Sequence, residues 1–566
     1  MDNRKYNIYF HTHTVSGIIV CVLLYVVFFA GSFAFFKDDI AAWQKNSSYV
    51  VNRKTTPRDF TGILDSLGRH HQLKGRNIEF FLQRHGTGAY VSMLASNDSI
   101  VNKEGKARAL ARAKANPAGE PKKRGRGRGR GGDEDVASFT YDFAHRQEVD
   151  YEKDYDMGEF LYRLHFLAPL NAIRLPINLG APFGYLLAGI VSFMFLFALI
   201  TGLLLHWNKI VSNFFTFRPW AKWKTVWTDL HTGLGMIQFP FQFLFAVTGM
   251  VLIVNSVLLA PFTKFAYNGD SEQLYSDLQT ADNTKYAYTY TPLAAPFNLN
   301  QVVAQVEQKW ADSEITRVLI RNYQDANMHV VVLGAPHAEA SFSGLGKLVY
   351  RVRDQQVLSE TAPAAPSTYV SKVRSLVYHL HFGDFGGRPL RVMYFVLGLL
   401  GCVVILSGIL IWLVARDKNS TPMRERKFNF WTANIFLAVC LSMLPVTALT
   451  MISLLFLKQP TQADIYHWYF YSWLALGIYF IARHDIASTN RQSLVLSAGL
   501  CFLVPVLDGV VRDNWFWNTF AKGQFDILFV DMLFLGLSII SAVVLLKMNR
   551  RQEVAVLQQE AVAVVV

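Results

Sequence analysis

A 566-residue chain that is 52% hydrophobic and only 17% charged is too apolar for an ordinary soluble enzyme. Its net charge of +13 is partly local: residues 103–135 hold eleven Lys/Arg against five Asp/Glu, which supplies six of the thirteen. The apolar residues are gathered into long runs, so the composition points to a polytopic membrane protein.

Eight runs match the ~30 Å hydrocarbon core at about 1.5 Å per helical residue. They are Val15–Phe36, Phe183–Leu205, Leu234–Ala260, Val392–Ala415, Phe430–Leu457, Ile465–Ala482, Ser493–Val511 and Ile527–Leu546. Lys and Arg concentrate in the short segments at Arg4–Lys5, Lys209–Lys224, Arg416–Lys427, Arg483–Arg491 and Lys547–Arg551. Short-loop Lys/Arg mark the cytoplasmic side, which places both termini in the cytoplasm and the long loops 37–182 and 261–391 outside it. The first run is longer than the apolar part of a signal peptide and lacks a small-x-small site after Phe36, so it reads as a retained helix. The four cysteines, Cys21, Cys402, Cys440 and Cys501, all lie within apolar helices, which argues against disulfides, Cys-ligated zinc and covalent c-type haem.

The division in chain order is residues 1–36 (N-terminus and first helix), 37–182 (first outer domain), 183–260 (second helix, inner loop and third helix), 261–391 (second outer domain), 392–415 (fourth helix) and 416–566 (four further helices and a cytoplasmic tail). In the first outer domain, Asp59–His70 is expected to be helical, with strands at Asn77–His85, Ala89–Ala95 and Ser138–Phe143. Between them lies the basic tract Lys103–Asp135, including the Arg-Gly run Lys122–Arg130, which is expected to be disordered. An Arg-Gly run can bind RNA, but an extracytoplasmic location makes it a solvated insertion, and no nucleic-acid partner is expected. The second outer domain repeats the order without the insertion: a helix at Leu299–Trp310, then strands at Ile315–Arg321, His329–Gly334 and Lys347–Arg353.

The helices echo one another as well. His13-Thr-x-x-Gly17 opens the first run and His231-Thr-x-x-Gly235 the third; Gly31 and Gly249 each follow their histidine by 18 positions. Tyr162-Arg-Leu-His165-Phe166 precedes the second helix, and Tyr378-His-Leu-His381-Phe382 the fourth. Thr201-Gly-Leu-Leu204 and Ser407-Gly-Ile-Leu410 match near the inner ends. Residues up to 415 therefore read as an internal duplication of a helix–outer domain–helix unit, related by a pseudo-twofold along the membrane normal. The last four helices carry no such echo. Asp508 and Asp531 lie within their apolar runs, His467 and His484 stand at opposite ends of one helix, and Tyr466–Trp473 looks like an interfacial aromatic belt.

The duplication places His13 and His231 at the inner face and His165 and His381 at the outer face. One histidine at a helix start ordinarily caps it or sits in the interface. A cap need not recur as the same residue in both halves at both faces, and neutral imidazole is a good iron ligand. Two bis-His haems, one held by His13 and His231 and one by His165 and His381, would together span the bilayer. Secondary candidates are His11 and His206 for the inner site and His379 for the outer one; His206 is weakened by its counterpart, Trp412. The glycines give room for close approach of a helix or a porphyrin, as ordinary helix packing would also require. No residue is assigned a catalytic role.

These histidine helices, the Leu380–Gly387 run Leu-His-Phe-Gly-Asp-Phe-Gly-Gly, the Thr/Ser-Gly-Leu/Ile-Leu ends and the α-β-β-β outer domains resemble the PepSY-associated transmembrane family. The family includes bacterial inner-membrane siderophore reductases. The resemblance implies a fold of about eight membrane helices with two periplasmic PepSY-like α+β domains, b haem on His13, His165, His231 and His381, and a ferric siderophore as substrate at the periplasmic face. The expected activity is that of an oxidoreductase; the alternative is a membrane-anchored PepSY binding module or a transport component. No Gly-x-Gly-x-x-Gly opens a helix within a βαβ unit, so the electron donor is expected to be a separate cytoplasmic reductase or a membrane quinol.

Overall fold

The computed structural model describes residues 2–55, 57–82, 88–115, 136–173, 182–270, 273–274, 284, 286–338 and 340–565. In chain order the helices are α1 (Asn3–Ala34), α2 (Lys37–Lys45), α3 (Tyr49–Thr55), α4 (Phe60–His70), α5 (Ser99–Ala115), α6 (Met157–His165), α7 (Phe183–Leu205), α8 (Ile210–Phe215), α9 (Trp223–Ala266) and α10 (Leu299–Lys309). They continue as α11 (Tyr369–Phe382), α12 (Gly387–Arg416), α13 (Met423–Leu441), α14 (Met443–Leu455), α15 (Gln462–Arg483), α16 (Ile486–Arg512), α17 (Phe516–Ala521) and α18 (Phe525–Val565). The strands are β1 (Arg76–Leu82), β2 (Gly88–Ser96), β3 (Ala137–Asp142), β4 (Gln147–Val149), β5 (Ser313–Arg321), β6 (His329–Pro336), β7 (Gly346–Arg351) and β8 (Gln356–Thr361). The chain divides into two units, one of residues 1–48, 155–260 and 388–566, the other of residues 49–154 and 261–387.

The first unit is built on the apolar runs, and its helices invert the soluble pattern. Along α7, Gly184, Ala188, Gly189, Ala198 and Thr201 face inward, while Ile190, Phe193, Phe197 and Ile200 are exposed. Small residues inside let backbones approach closely, and large apolar residues outside suit lipid. Among the described residues seven helices are long and apolar enough to cross a membrane: Asn3–Ala34, Phe183–Leu205, Trp223–Ile253, Asp384–Arg416, Met423–Leu455, Ile486–Arg512 and Phe525–Asn549. This is a multi-pass membrane protein. The eighth expected run, Ile465–Ala482, does form a helix, α15, but it is not among the seven. Its His467, Trp468, Tyr469, Tyr471 and Trp473 lower its hydropathy, although Ile465, Tyr469 and Phe480 are buried.

Residues 37–48, which include α2, are tied to the C-terminal helices and to α12 by a buried polar network. Trp43 Nε1 donates to Asp531 at 2.8 Å, Ser48 Oγ to Asp526 at 2.6 Å, and Arg388 pairs with Asp39 at 2.7 Å. Arg512 donates to the carbonyls of Trp43 and Gln44 while also meeting Asp508. The two acids singled out in the sequence are therefore both partnered, Asp508 also by Asn514. Residues 37–48 and 155–173, assigned to the outer loop by sequence, pack with the membrane helices.

In the second unit the two long loops build one sheet rather than two. Its strand order is β4-β3-β2-β1-β5-β6-β7-β8, and all neighbours are antiparallel. The halves join where β1 pairs with β5, Ile78 opposite Ile320 and Phe80 opposite Val318. Alternation then decides the faces. Ile78, Phe80, Val91, Val318, Ile320, Val330 and Val332 pack against Phe60, Ile63, Leu64 and Leu67 of α4 and Leu299, Val302, Val303 and Val306 of α10. Asp59 caps α4 at Gly62 N and accepts from Asn300 of α10 at 2.9 Å, while Asn300 Oδ1 accepts from Phe60 N at 2.7 Å.

Two expectations change here. The strands β4 and β8, short or exposed along their length, are additional to those expected. The basic tract begins as helix: α5 runs to Ala115, because Lys, Arg, Glu and Ala are strong helix formers even where nothing apolar is available to bury. The rest of the tract, residues 116–135 with the Arg-Gly run, lies outside the described residues, as do residues 83–87 at the end of the expected strand Asn77–His85.

Candidate functional site: paired histidines seated on glycines

Three of the four histidines share one local arrangement. His13 of α1 places Nδ1 2.9 Å from the carbonyl of Ala198 on α7. His231 of α9 places Nδ1 2.9 Å from the carbonyl of Val404 on α12. His165, the last residue of α6, places Nδ1 2.8 Å from the carbonyl of Val27 on α1. A carbonyl only accepts, so each Nδ1 is the N–H and each Nε2 carries the lone pair.

In each case the residue four positions after that carbonyl is glycine: Gly202, Gly408 and Gly31. A Cβ on Gly202 would stand 3.0 Å from His13 Cε1, one on Gly408 3.1 Å from His231 Cε1, and one on Gly31 2.7 Å from His165 Cε1. Residues i and i+4 share a helix face, so the glycine is the gap through which the ring reaches the carbonyl. This accounts for the Thr-Gly and Ser-Gly echo. Thr201 Oγ1 lies 2.9 Å from the Phe197 carbonyl and 3.1 Å from that of Ala198, while Ser407 Oγ donates to the Val404 carbonyl at 2.8 Å, so hydroxyl and imidazole share one acceptor in the second half.

His13 and His231 come together. Their ring centres are 6.1 Å apart with planes at 70°. One metal bound at ~2 Å by a nitrogen of each ring, with about 1 Å more from nitrogen to ring centre, separates two such centres by roughly 6 Å. Among the described residues no three His, Cys, Asp or Glu side chains converge on a metal position. Two imidazoles fit an ion whose other ligands come from a macrocycle, as in bis-His haem.

Of the secondary candidates, His206 caps the end of α7, where burial first, then the charges of His13 and Lys209, lowers its pKa. His11 is exposed and packs edge-on against Phe10. His379 is held by Asp384, Nδ1 to Oδ1 2.7 Å, and stacks on Phe342. His467 stacks on Tyr471, and His484 meets Trp431 edge-on.

His165 and His381 belong to different units, and the pairing expected of them rests on the sequence repeat alone. Burial lowers the pKa of His165, against the Val27 carbonyl, which raises it. His381 lies in the last turn of α11. The turns that follow the two are alike: Gly383 has φ 59° and ψ 28°, and Leu167, its counterpart, φ 56° and ψ 28°. The first copy thus makes the same left-handed turn with a buried leucine, a conformation that costs a non-glycine residue about 1 kcal/mol. Gly387, with φ 59° and ψ −155°, takes a backbone position open essentially to glycine alone.

The start of α9 is tied down next to His231. Arg218 forms a two-pronged bond to Asp229, Nε to Oδ2 and Nη2 to Oδ1 both at 2.9 Å, and its backbone N–H donates to Oδ2. Asp229 is 5% exposed. Sequence reading passed over this pair and over the shared carbonyls, since neither is visible without knowing which helices touch.

The chain is similar to PA4219 of Pseudomonas aeruginosa, a protein described as uncharacterized, at 23% identity over 248 residues. That match covers 41% of this chain and 60% of the relative. The model of the PepSY-associated TM region matches residues 10–415, which include all four histidines. With helix ends, glycines and histidines in this order, the chain belongs to the PepSY-associated transmembrane family.

Proposed function

We propose that this protein is a transmembrane di-haem b electron-transfer protein that reduces a ferric siderophore at the periplasmic face of a bacterial inner membrane. The observation that carries the reading is the His13–His231 pair, with ring centres 6.1 Å apart and Nδ1 of each committed to a carbonyl. Haem would supply the one-electron iron couple. His13 and His231 would hold it through Nε2. The carbonyls of Ala198 and Val404 fix both tautomers and, by accepting the Nδ1 proton, make the rings better donors. Gly202 and Gly408 keep the seats open.

The second haem is assigned to His165 and His381 on the sequence repeat, and the duplication with two PepSY-like outer halves is part of the same proposal. Along α1, Gly31, which seats His165, is 18 residues from His13, or ~27 Å of helix. That is close to the ~30 Å a bilayer demands. The substrate class is the one the family resemblance implies: Fe(II) is softer and less charged than Fe(III), so one-electron reduction would loosen an oxygen chelator's grip. The residues 378–388 rim would face the substrate, and a cytoplasmic reductase or membrane quinol would be the donor.

Reduced-minus-oxidised spectra with haem quantification on the detergent-purified protein test this. Two b haems per chain are expected, and His231→Ala or His381→Ala should each remove about half. A colourless protein from haem-sufficient cells would overturn the reading and leave the binding-module alternative. Loss from neither variant would break the pairing scheme.

A further inference from the structure

Gln238 and Gln242 lie on the same stripe of α9 as His231, seven and eleven residues further on and within ~20° of it around the axis. Gln238 and Gln242 flank Pro240, midway along the 18 residues from His231 to Gly249. Both side chains are shut off from the surroundings, at 0% and 5% exposure. Gln242 Nε2 donates to Gln238 Oε1 at 2.8 Å and to the carbonyl of Leu397 on α12 at 3.2 Å. Two acceptors meet one group there, so the nitrogen of Gln242 must face them and the oxygen of Gln238 must face it. Gln238 Nε2 and Gln242 Oε1 are left buried with no partner among the described residues.

An amide without partners is most costly at the centre of a bilayer, where no solvent can satisfy it. The fold does not demand polar residues there. At the same offsets from His13, α1 carries Val20 and Leu24, both buried. The pair is therefore particular to the second half. What it leaves open is the amide NH2 of Gln238, which donates, and the carbonyl oxygen of Gln242, which accepts. A cation is repelled by the first and an anion by the second. A neutral molecule that both accepts and donates fits, and the smallest is water. Gly401 of α12 keeps the backbone close: a Cβ there would lie 3.0 Å from Gln242 Nε2 and 2.8 Å from Phe28 Cδ1.

We propose that Gln238 and Gln242 hold one water molecule at the centre of the membrane bundle, accepting from Gln238 Nε2 and donating to Gln242 Oε1. The site stands apart from the haem reading, because no atom of it belongs to a histidine. Two measurements test it. A high-resolution cryo-EM map of the full chain should show an isolated peak within hydrogen-bond distance of both amides. Hydroxyl-radical footprinting with ¹⁸O-labelled water should mark Phe28, whose ring and Gln242 Nε2 both lie within 3.0 Å of where a Cβ on Gly401 would stand, and the mark should fall at least fivefold in Gln238→Leu/Gln242→Leu. Labelling of exposed Tyr471 in that variant should stay as in the parent. Both measurements are repeated on His231→Ala, where retention of peak and label is expected whether or not haem is lost. No peak, an elongated density continuing into lipid (a quinol head group in place of water), or labelling of Phe28 unchanged by the double substitution would each overturn the proposal.

Discussion

Gly31 lies directly beneath the imidazole of His165, so close that a methyl group there would stand 2.7 Å from Cε1. The glycine that trails His13 by 18 positions is thus the seat of a histidine from another helix. At the opposite end of the bundle, His13 and His231 sit on Gly202 and Gly408 in the same manner. The seats differ in tightness, and this ranks their substitutions.

Gly31→Ala should be the most damaging of the three, with an overpacking cost of about 1–3 kcal/mol. Gly202→Ala and Gly408→Ala ask for shifts of only a few tenths of an ångström and should cost less than Gly31→Ala. Thermal unfolding in detergent ranks them. On the haem reading, the latter two also broaden the b-type α-band without abolishing it.

Arg218→Ala removes the fork from Asp229, a carboxylate only 5% exposed and two residues from His231. A lower melting temperature is expected, and Arg218→Lys should restore little of it, because an ammonium cannot match both carboxylate oxygens at once. On the haem reading, the readout specific to the site is the absorption of the inner haem, which should shift in Arg218→Ala and stay unchanged when the exposed Lys222 is replaced.

Asp59→Ala removes the cap of α4 and its bond from Asn300, and should destabilise the eight-stranded unit by about 0.5–2 kcal/mol. Asn300 bonding holds the Asp59 carboxyl below its ordinary value. Hydrogen exchange should rise at the start of α4, where Asp59 accepts from Gly62 N–H and the Asn300 amide of α10 donates to Asp59 and accepts from Phe60 N–H.

Acid should weaken the protein through His165. Burial depresses its pKa from 6.5, so the unfolded chain binds the proton more readily than the folded one. The stabilisation from this group is fully present above about pH 6.5 and is lost as pH falls below it toward the folded value. His165→Gln should flatten this part of the stability–pH curve measured by thermal melts from pH 7.5 to 5.

Much of the fold was legible because local patterns carry it. Apolar runs mark membrane helices through length alone, and strand patterning marked β2, β5 and β6 to within two residues at each end. The strand β8, whose six residues are all exposed, has no alternation to read, and α5 forms on helix propensity in a tract that looks like a solvated loop. The aromatic helix α15 forms where the sequence places it, with Tyr469 against Phe160, although it is not among the seven helices apolar enough to cross a membrane.

The sequence by itself determined that four histidines recur in two halves of one chain, and that glycines accompany them at set spacings. It determined no partner for any of them. Only the tertiary structure decided that Gly202 belongs to His13 and Gly408 to His231, that Ser407 shares its carbonyl with His231, and that two long loops close into one sheet through Ile78 and Ile320, 242 positions apart. The physical reason is that periodicity records which face of a helix or strand is apolar, whereas contacts between elements depend on which faces the whole chain brings together. His13 and His231 are 218 positions apart in sequence and 6.1 Å apart in space.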